Sequence, residues 1–350
     1  IFKKYHFTIL FFFCLFIVGI TLSDDYGISW DENVRRIGHQ SYVKYVAKTF
    51  GYENDAFNNI PKVEDNYYAW AAPYGMIFGI PSIVIEEALA LDDLKEVFLF
   101  RHKLNFTFHF IGIIFFFFFS RELFGSNNRA ILATLIYILH PRIFAHSFFN
   151  PKDIIFMASM SIALYPIVKY IKSLEYKWLT IASIAMGISM SCRVVGVYIP
   201  VLVVLFSIIN HIILKNNFSY YNIRSLFIRS IMVFIFCSTI FYILTPYFWV
   251  DPISGFLETF NIAKQFDFSG NVFFFGKLIP AKDIPWYYVP VWIFITTPII
   301  FILFFIIGVL LLIIRMHIVT ENNLMLLFCI ISILTPYICS ILFNSTLYDG

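Results

Sequence analysis

Two adjacent acids follow soon after an apolar run near the start of the chain. Asp31 and Glu32 stand in the stretch "GISWDENVRR", and the apolar run occupies residues 6–22. A carboxylate at a membrane surface can act as a general base, or it can orient an acceptor hydroxyl or amine. An ordinary solvated loop would also account for the pair. We predict that Asp31 is the base and that Glu32 helps to set its environment.

Cations and a further acid gather in the stretch "HPRIFAHSFFNPKD", which lies between two apolar runs. It contains Arg142, His146, Lys152 and Asp153. Ionisable side chains near membrane depth are costly and usually line a functional cavity, and the planar fork of arginine suits phosphate oxygens. In the alternative explanation, the long basic side chains simply reach the polar membrane interface and have no function there. This alternative does not explain Asp153. The stretch therefore predicts a functional cavity whose cations suit an anion and which also holds a second acid.

Two more arginines stand at the ends of apolar runs. Arg193 lies in "SCRVVG", where Gly196 permits a bend, and Arg101 lies at the start of another run. Lysine and arginine are normally in excess in the cytoplasmic loops, so an arginine at position 193 on an outer turn favours a functional role. Arg101 is explained equally well by phosphate contact and by a side chain that extends to the polar membrane interface. The predicted phosphate-binding set is Arg142, Arg193, Lys152, His146 and Arg101.

The composition is that of an integral membrane protein. The 350 residues are only 13% charged, whereas soluble domains carry roughly 25% charged residues. Because lipid cannot satisfy free backbone groups, and because the apolar runs lack strand-like alternation, we predict an all-α polytopic fold. The net charge of +3 is small and scattered, so no nucleic-acid partner is expected. Five widely spaced cysteines without a CxxC pattern indicate neither a metal site nor a disulfide framework.

The lengths of the apolar runs predict the elements that carry these residues. A span needs about 20 apolar residues, and the run at 178–214 is too long for one span, since its ~37 residues would exceed ~50 Å as a helix. We therefore predict a turn at Arg193–Gly196 and about nine spans in total. The remaining predicted spans are 6–22, 98–119, 128–147, 154–171, 230–247, 288–314 and 324–343.

Lysine and arginine clusters occupy every second connection, which marks those connections as cytoplasmic. Residues 71–91, "AAPYGMIFGIPSIVIEEALAL", would reverse this order if they crossed the membrane. We therefore predict that they form a helix along the outer surface, with Glu86 and Glu87 toward water. On this assignment the outer loop 23–97, the stretch around Asp153, the turn at Arg193 and the loop 248–287 share the non-cytoplasmic face.

The order of these motifs resembles the membrane glycosyltransferases of the GT-C fold. The resemblance lies in the "DE" after the first span, in "PRIFAHSFFNPKD" with its arginine before an acid, and in "GISMSCRVVG". The nearest group is the protein O-mannosyltransferase family with its bacterial relatives, which include the lipid A aminoarabinose transferases. "PWYYVPVWIFITTP" and the terminal "LYDG" resemble the bacterial branch. The resemblance covers nearly all of residues 1–350, as one GT-C type helical bundle.

Such proteins pass a sugar from a polyprenyl-phosphate carrier to an acceptor outside the cytoplasm. The resemblance implies that Asp31, with Glu32 beside it, is the catalytic acid of the first outer loop and that Asp153 is the acid of the second. Arg142 and Arg193 match cations near the donor phosphate, and Arg193 stands where mannosyltransferases often have lysine. The implied partners are the lipid-linked sugar donor, membrane lipid, and a protein, lipid or glycan acceptor.

The resemblance further implies a multi-pass protein of the bacterial inner membrane, with its site facing the periplasm or exterior and no firmly implied cofactor. A transporter or flippase for an anionic lipid-linked substrate is the alternative, in which the outer cations would bind that substrate. The family typically continues beyond "LYDG", so we expect that the chain is truncated at its C-terminus.

Overall fold

The computed structural model describes residues 2–52, 76–215, 220–264, 268, 270–318, 320–343 and 345–346. Almost all of the regular structure in these ranges is α-helical, as predicted. The helices are α1 (Phe2–Leu22), α2 (Trp30–Thr49), α3 (Met76–Ala88), α4 (Leu94–Phe124), α5 (Asn127–Ile138), α6 (Pro141–Phe149), α7 (Asp153–Ser173), α8 (Tyr176–Cys192), α9 (Tyr198–Lys215), α10 (Tyr220–Ile243), α11 (Pro252–Lys264), α12 (Tyr288–Thr296), α13 (Ile299–Arg315) and α14 (Glu321–Leu342). A short antiparallel hairpin pairs β1 (Asn271–Phe274) with β2 (Lys277–Pro280).

The all-α polytopic fold is confirmed. Within the described ranges, six helical segments are long and apolar enough to cross a bilayer, and two bent helix pairs raise the number to eight if each pair is one span. The bent pairs are α5 with α6, at 71°, and α12 with α13, at 116°. The helix α8 has 17 residues, which is slightly shorter than the ~20 residues that an upright span needs.

The run at 178–214 folds back at the predicted position. Helix α8 ends at Cys192, a short 3-10 turn covers Val194–Val197, and α9 begins at Tyr198. Gly196 is needed for close approach, since a Cβ there would lie 3.3 Å from the Phe156 ring and 3.4 Å from the Met190 backbone. Arg193 therefore sits at the end of a helix, as the length argument required.

The run at 288–314 is not one continuous span, which corrects the sequence-based prediction. Helix α12 ends before Thr297 and α13 begins after Pro298, with a bend of 116° between them. Proline lacks an N–H and disfavours helical geometry in the residue before it. Thr297 accordingly adopts an extended conformation, with a ψ of 126°.

The packed centre of the molecule is formed by α4, α7, α8 and α10, each in contact with the next. Small residues allow the helix axes to approach closely, as is common between membrane helices. A Cβ added to Gly112 would lie 2.7 Å from the Cα of Ala158 on α7. A Cβ added to Gly187 on α8 would lie 2.7 Å from the Cβ of Ile240 on α10. This close-packed layer supports the helix ends that carry the polar motifs.

The predicted surface helix at 71–91 is only partly correct. Residues 71–75 lie outside the described ranges, and α3 has 13 residues, which is too short to span the roughly 30 Å hydrocarbon core. Glu87 is exposed as predicted, but Glu86 is 2% exposed. The prediction that Glu86 faces water is therefore wrong, because α3 packs against α2 and turns this carboxylate toward two arginines.

Candidate active site

Asp31 forms an ion pair with Lys152, a residue 121 positions further along the chain. Lys152 Nζ lies 2.5 Å from Asp31 Oδ2. The lysine side chain is 13% exposed and the aspartate side chain is 43% exposed. Water and ligands can therefore reach the Asp31 carboxylate while the ammonium group holds one of its oxygens.

The adjacent residue, Asp153, makes a second ion pair. Arg193 Nη1 lies 2.8 Å from Asp153 Oδ1, and the two side chains are 31% and 40% exposed. Because Lys152 and Asp153 are consecutive, the two ion pairs lie side by side at the start of α7. The structure thus brings together the acid after α1, the stretch before α7 and the turn after α8, as the sequence predicted for one face.

Asn150 organises this cluster, and the sequence analysis did not identify it. Its Oδ1 accepts hydrogen bonds from the backbone N–H groups of Lys152 and Asp153, at 3.2 and 2.9 Å. Its Nδ2 donates to Asp153 Oδ2 at 3.2 Å and lies 2.9 Å from His146 Nδ1. An asparagine just before a helix is a recognised turn and capping signal, so "NPKD" did carry the information.

The start of α2 is anchored in a way that points Asp31 at Lys152. Ser29 Oγ donates to the carbonyl of Phe149 at 3.1 Å, which ties this helix start to the end of α6. The ring of Tyr26 stacks on Phe148, with centroids 4.5 Å apart. These contacts place the first turn of α2 directly beside the residues that lead into α7.

Glu32 has a different role from its neighbour. It is 2% exposed, and its Oε1 lies 2.9 Å from His102 Nε2. Its Oε2 accepts a hydrogen bond from the backbone N–H of Ser29 at 2.6 Å. Both oxygens are therefore used in fixing the helix start, which agrees with a supporting position beside Asp31 rather than direct contact with a substrate.

Arg101 lies in a buried network that does not reach the two ion pairs. It is 2% exposed and forms an ion pair with Glu86, which also accepts from Arg36 Nε at 2.9 Å. Arg101 Nη2 donates to His39 Nδ1 at 3.2 Å. This geometry does not support the predicted phosphate contact of Arg101, because its guanidinium group is buried among protein partners.

His39 is held neutral in this network. Burial, and then the nearby charges of Arg101 and Arg35, hold the pKa of His39 well below its usual range. The hydrogen bond points the same way, since Nδ1 can accept from Arg101 only when it carries no proton. Helix α3 comes close at this point, where a Cβ on Gly79 would lie 2.2 Å from the His39 ring.

Arg142 and His146 lie one helical turn apart on α6, so they occupy the same face. Arg142 is exposed, and no acid in the described ranges lies within ion-pairing distance of it. Through Asn150, His146 is joined to Asp153. Arg142 is therefore the phosphate candidate whose guanidinium is most open to a ligand, and it borders the cluster.

The cluster combines an accessible carboxylate with several cations. Lys152, Arg193 and Arg142 supply positive charge, and Asp31 supplies a carboxylate that can accept a proton. Among the residues that the structure describes, no three His, Cys, Asp or Glu side chains come together as a metal site. The arrangement is chemically suited to remove a proton from one substrate while stabilising anionic oxygens of another.

A comparison with protein families supports the resemblance noted in the sequence. Residues 104–246 match the family model of dolichyl-phosphate-mannose-protein mannosyltransferases. The match covers less than half of the chain; it includes Asn150, Lys152, Asp153 and Arg193, whereas Asp31 precedes it. Comparisons with curated proteins and with solved structures give no match. The match supports a membrane glycosyltransferase.

Proposed function

We propose that the chain transfers a sugar from a polyprenyl-phosphate carrier to an acceptor on the non-cytoplasmic face of the membrane. One observation carries the proposal, namely that an accessible acid and an arginine from different parts of the chain meet in adjacent ion pairs. Asp31 pairs with Lys152, and Arg193 pairs with Asp153. The family match supports the same chemistry independently.

In the proposed reaction, the hydroxyl oxygen or amine nitrogen of the acceptor attacks the anomeric carbon of the donor sugar. The bond from that carbon to the carrier phosphate breaks, and the phosphate leaves with the bonding electrons. Asp31 takes the proton of the acceptor hydroxyl or amine as general base. Arg193 and Arg142 stabilise the charge that grows on the leaving phosphate, and Asp153 holds Arg193 in place.

The orientation of the site is proposed from the distribution of basic residues. Lys169 and Lys172 contact Glu122 at the end of the bundle formed by the C-termini of α4 and α7. The ion pairs of Asp31 and Asp153 lie at the other end, where α7 begins. Because lysine and arginine mark the cytoplasmic side, the candidate site faces outward. From the resemblance to the bacterial branch, we infer that the membrane is a bacterial plasma membrane.

The test is Asp31→Asn in the full chain, reconstituted in membranes with a radiolabelled polyprenyl-phosphate sugar. Loss of a general base should lower the transfer rate by roughly 10²–10⁴-fold. Asp24→Asn is a matched control, since Asp24 is also a partly exposed acid, 48% exposed and 2.9 Å from Lys103. The control variant should transfer at the wild-type rate.

Two results would contradict the proposal. Near-normal transfer by a folded Asp31→Asn protein would remove Asp31 from the mechanism. Movement of intact labelled donor across the vesicle membrane, without covalent labelling of any acceptor, would assign the cluster to transport instead of transfer.

A further inference from the structure

A cavity lies away from the two ion pairs, between the C-terminal half of α2 and the start of α11. Its volume is about 600 Å³, which is within the range of small-molecule sites. We call it the tyrosine groove, and its principal lining residues are Tyr42, Tyr45, Lys48, Tyr247, Asp251 and Glu258. The proposed transfer mechanism uses none of these residues.

The charges around the tyrosine groove balance one another. Lys44 and Lys48 face Asp251 and Glu258 across the cavity, so neither sign dominates. Such a lining does not select an anion or a cation. It suits an uncharged ligand with many hydroxyl groups, because hydroxyls donate to carboxylates and accept from ammonium groups.

Three of the lining residues of the tyrosine groove, Tyr42, Tyr45 and Tyr247, are aromatic. Tyr45 on α2 lies 6.4 Å from the ring of Trp249, and Phe50 packs edge-on against the same tryptophan at 6.0 Å. Tyr247 donates its hydroxyl hydrogen to Glu258 Oε2 at 2.5 Å, so its oxygen remains an acceptor. Rings with a flat apolar face and a polar edge suit a ligand that is apolar on one face and polar at its rim, as a sugar ring is.

A peptide fits this lining less well. Peptides commonly bind by adding a strand to an exposed sheet edge or by placing a helix in an apolar groove. The two described walls are mainly helical, and the backbone groups of a helix bond within the helix. The charged rim also differs from the apolar grooves that bind amphipathic helices. The side chains therefore favour a carbohydrate.

The position of the groove relates it to the candidate active site. Helix α2 carries Asp31 at its start, and Lys44 lies 13 residues further along the same helix, about 20 Å away at 1.5 Å per residue. Helix α11, on the other wall, contacts the turn Val194–Val197 that follows Arg193. Both walls therefore lead toward the two ion pairs, and a ligand that occupies both places must be an extended chain.

We propose that the tyrosine groove binds an uncharged oligosaccharide acceptor, whose terminal hydroxyl reaches Asp31. The inference rests on the proposed transfer function and specifies the acceptor as a glycan chain. A chain longer than one sugar is required, because a single ring in the groove would lie too far from the carboxylate.

The test is binding of uncharged linear mannose oligosaccharides, from one to six units, to the purified full chain without donor. Isothermal titration calorimetry measures the binding. Affinity should rise with chain length, and Glu258→Gln and Lys48→Gln should each weaken it by about tenfold, as expected for the loss of a hydrogen bond to a charged group. Both residues are exposed, so the substitutions should not disturb folding.

Two further variants make the test specific. Glu175→Gln alters an exposed acid outside the groove, at the start of α8, and should bind like the wild type. Asp31→Asn should bind the oligosaccharide normally, because only the transfer step needs the base. Normal binding with no transfer in the wild type would therefore reject the proposed function while leaving the groove assignment intact.

Three outcomes would overturn the groove assignment. The first is the absence of saturable oligosaccharide binding, and the second is an oligosaccharide affinity that neither Glu258→Gln nor Lys48→Gln changes. The third is an uncharged serine-rich peptide that binds more tightly than the oligosaccharides and whose binding both substitutions weaken. The last result would make the groove a peptide site.

Discussion

Lys152 and Asp153 are consecutive residues of opposite charge, and each pairs with a partner of the opposite sign from a distant part of the chain. Lys152 holds Asp31 and Asp153 holds Arg193. Partly exposed ion pairs contribute little to stability, typically 0–1 kcal/mol. Their value here is positional, since they bring an acid and a guanidinium group into one site.

The proposed phosphate role of Arg193 predicts a specific kinetic defect. Charge-assisted hydrogen bonds contribute about 1.5–3 kcal/mol, so Arg193→Ala should weaken donor use by roughly 10- to 150-fold. Arg193→Lys should recover part of this loss, because lysine keeps the charge but not the planar fork. The measurement is initial rate against polyprenyl-phosphate-sugar concentration, with Arg129→Ala, an exposed cation near the start of α5, as the control.

The outcome distinguishes between substrates. A defect confined to acceptor affinity would mean that Arg193 contacts the acceptor and not the donor phosphate. A loss of the same size in Arg129→Ala would indicate a general effect of surface charge rather than a phosphate contact.

The individual site residues were only partly predictable from the sequence. Asp31, Asp153 and Arg193 were identified because ionisable groups beside apolar runs are unusual. Their pairing was not identified, since Asp31 and Lys152 are 121 positions apart and local pattern carries no information about such contacts. Arg101 was placed with the phosphate ligands because it starts an apolar run. Its burial was missed because that burial depends on α3, whose acid was expected to face water.

Helix α3 is held to its neighbours by buried charge. Glu86 is 2% exposed and binds Arg36 on α2 and Arg101 on α4. Two adjacent glutamates on a helix point in directions about 100° apart, so one of them can be buried while the other is solvated. The sequence alone does not say which, because the answer depends on the helix that packs against them.

The buried position of Glu86 predicts a large loss of stability on neutralisation. Glu86→Gln would leave the Arg101 guanidinium buried without its counter-charge, which typically costs 3–5 kcal/mol. Glu87→Gln changes the adjacent, exposed residue and should shift the unfolding free energy by no more than about 0.5 kcal/mol. Denaturant unfolding in detergent measures both. Equal small shifts would show that Glu86 is not the buried counter-ion.

Because His39 is buried in its neutral form, we predict that the packing of α2 on α3 weakens in acid. Because burial and the charges of Arg101 and Arg35 lower its pKa in the folded state, the unfolded state binds the proton more readily. The contribution of neutral His39 to the unfolding free energy is complete above the unfolded-state pKa of about 6.5. It is lost as the pH falls below that value, by at most about 1.4 kcal/mol per pH unit.

The measurement is unfolding free energy against pH, from pH 7.5 to pH 5, for the wild type and His39→Asn. The asparagine oxygen can still accept from Arg101 but does not titrate. The variant should therefore show a shallower fall than the wild type. Parallel curves would mean that other groups cause the acid sensitivity.

At the level of the whole bundle, the two ends differ in chemistry. One end carries the ion pairs of Asp31 and Asp153, and the other carries Glu122 between Lys169 and Lys172. The lengths of apolar runs predicted most of this layout, including the turn at Arg193. The bends within α5–α6 and α12–α13 were not predicted, although Pro141 and Pro298 mark both positions.

This layout predicts which surface positions face outward. In a background without the five native cysteines, single cysteines replace three exposed residues, Ser254 on α11, Asn128 on α5 and Ser173 at the end of α7. A membrane-impermeant thiol reagent should label Ser254→Cys in intact cells. Asn128→Cys and Ser173→Cys should label only after permeabilisation, because they lie at the lysine- and arginine-rich end, which the charge bias places in the cytoplasm.

The combination of results also tests the bent pair. The chain passes through α5, α6 and α7 between Asn128 and Ser173, and the two positions share a side only if α5 and α6 together cross the membrane once. Labelling of Ser173→Cys but not of Asn128→Cys in intact cells would show that the bent pair re-enters on the side where it began. Labelling of both in intact cells, with Ser254→Cys protected, would turn the candidate site toward the cytoplasm and reject an acceptor on the outer face.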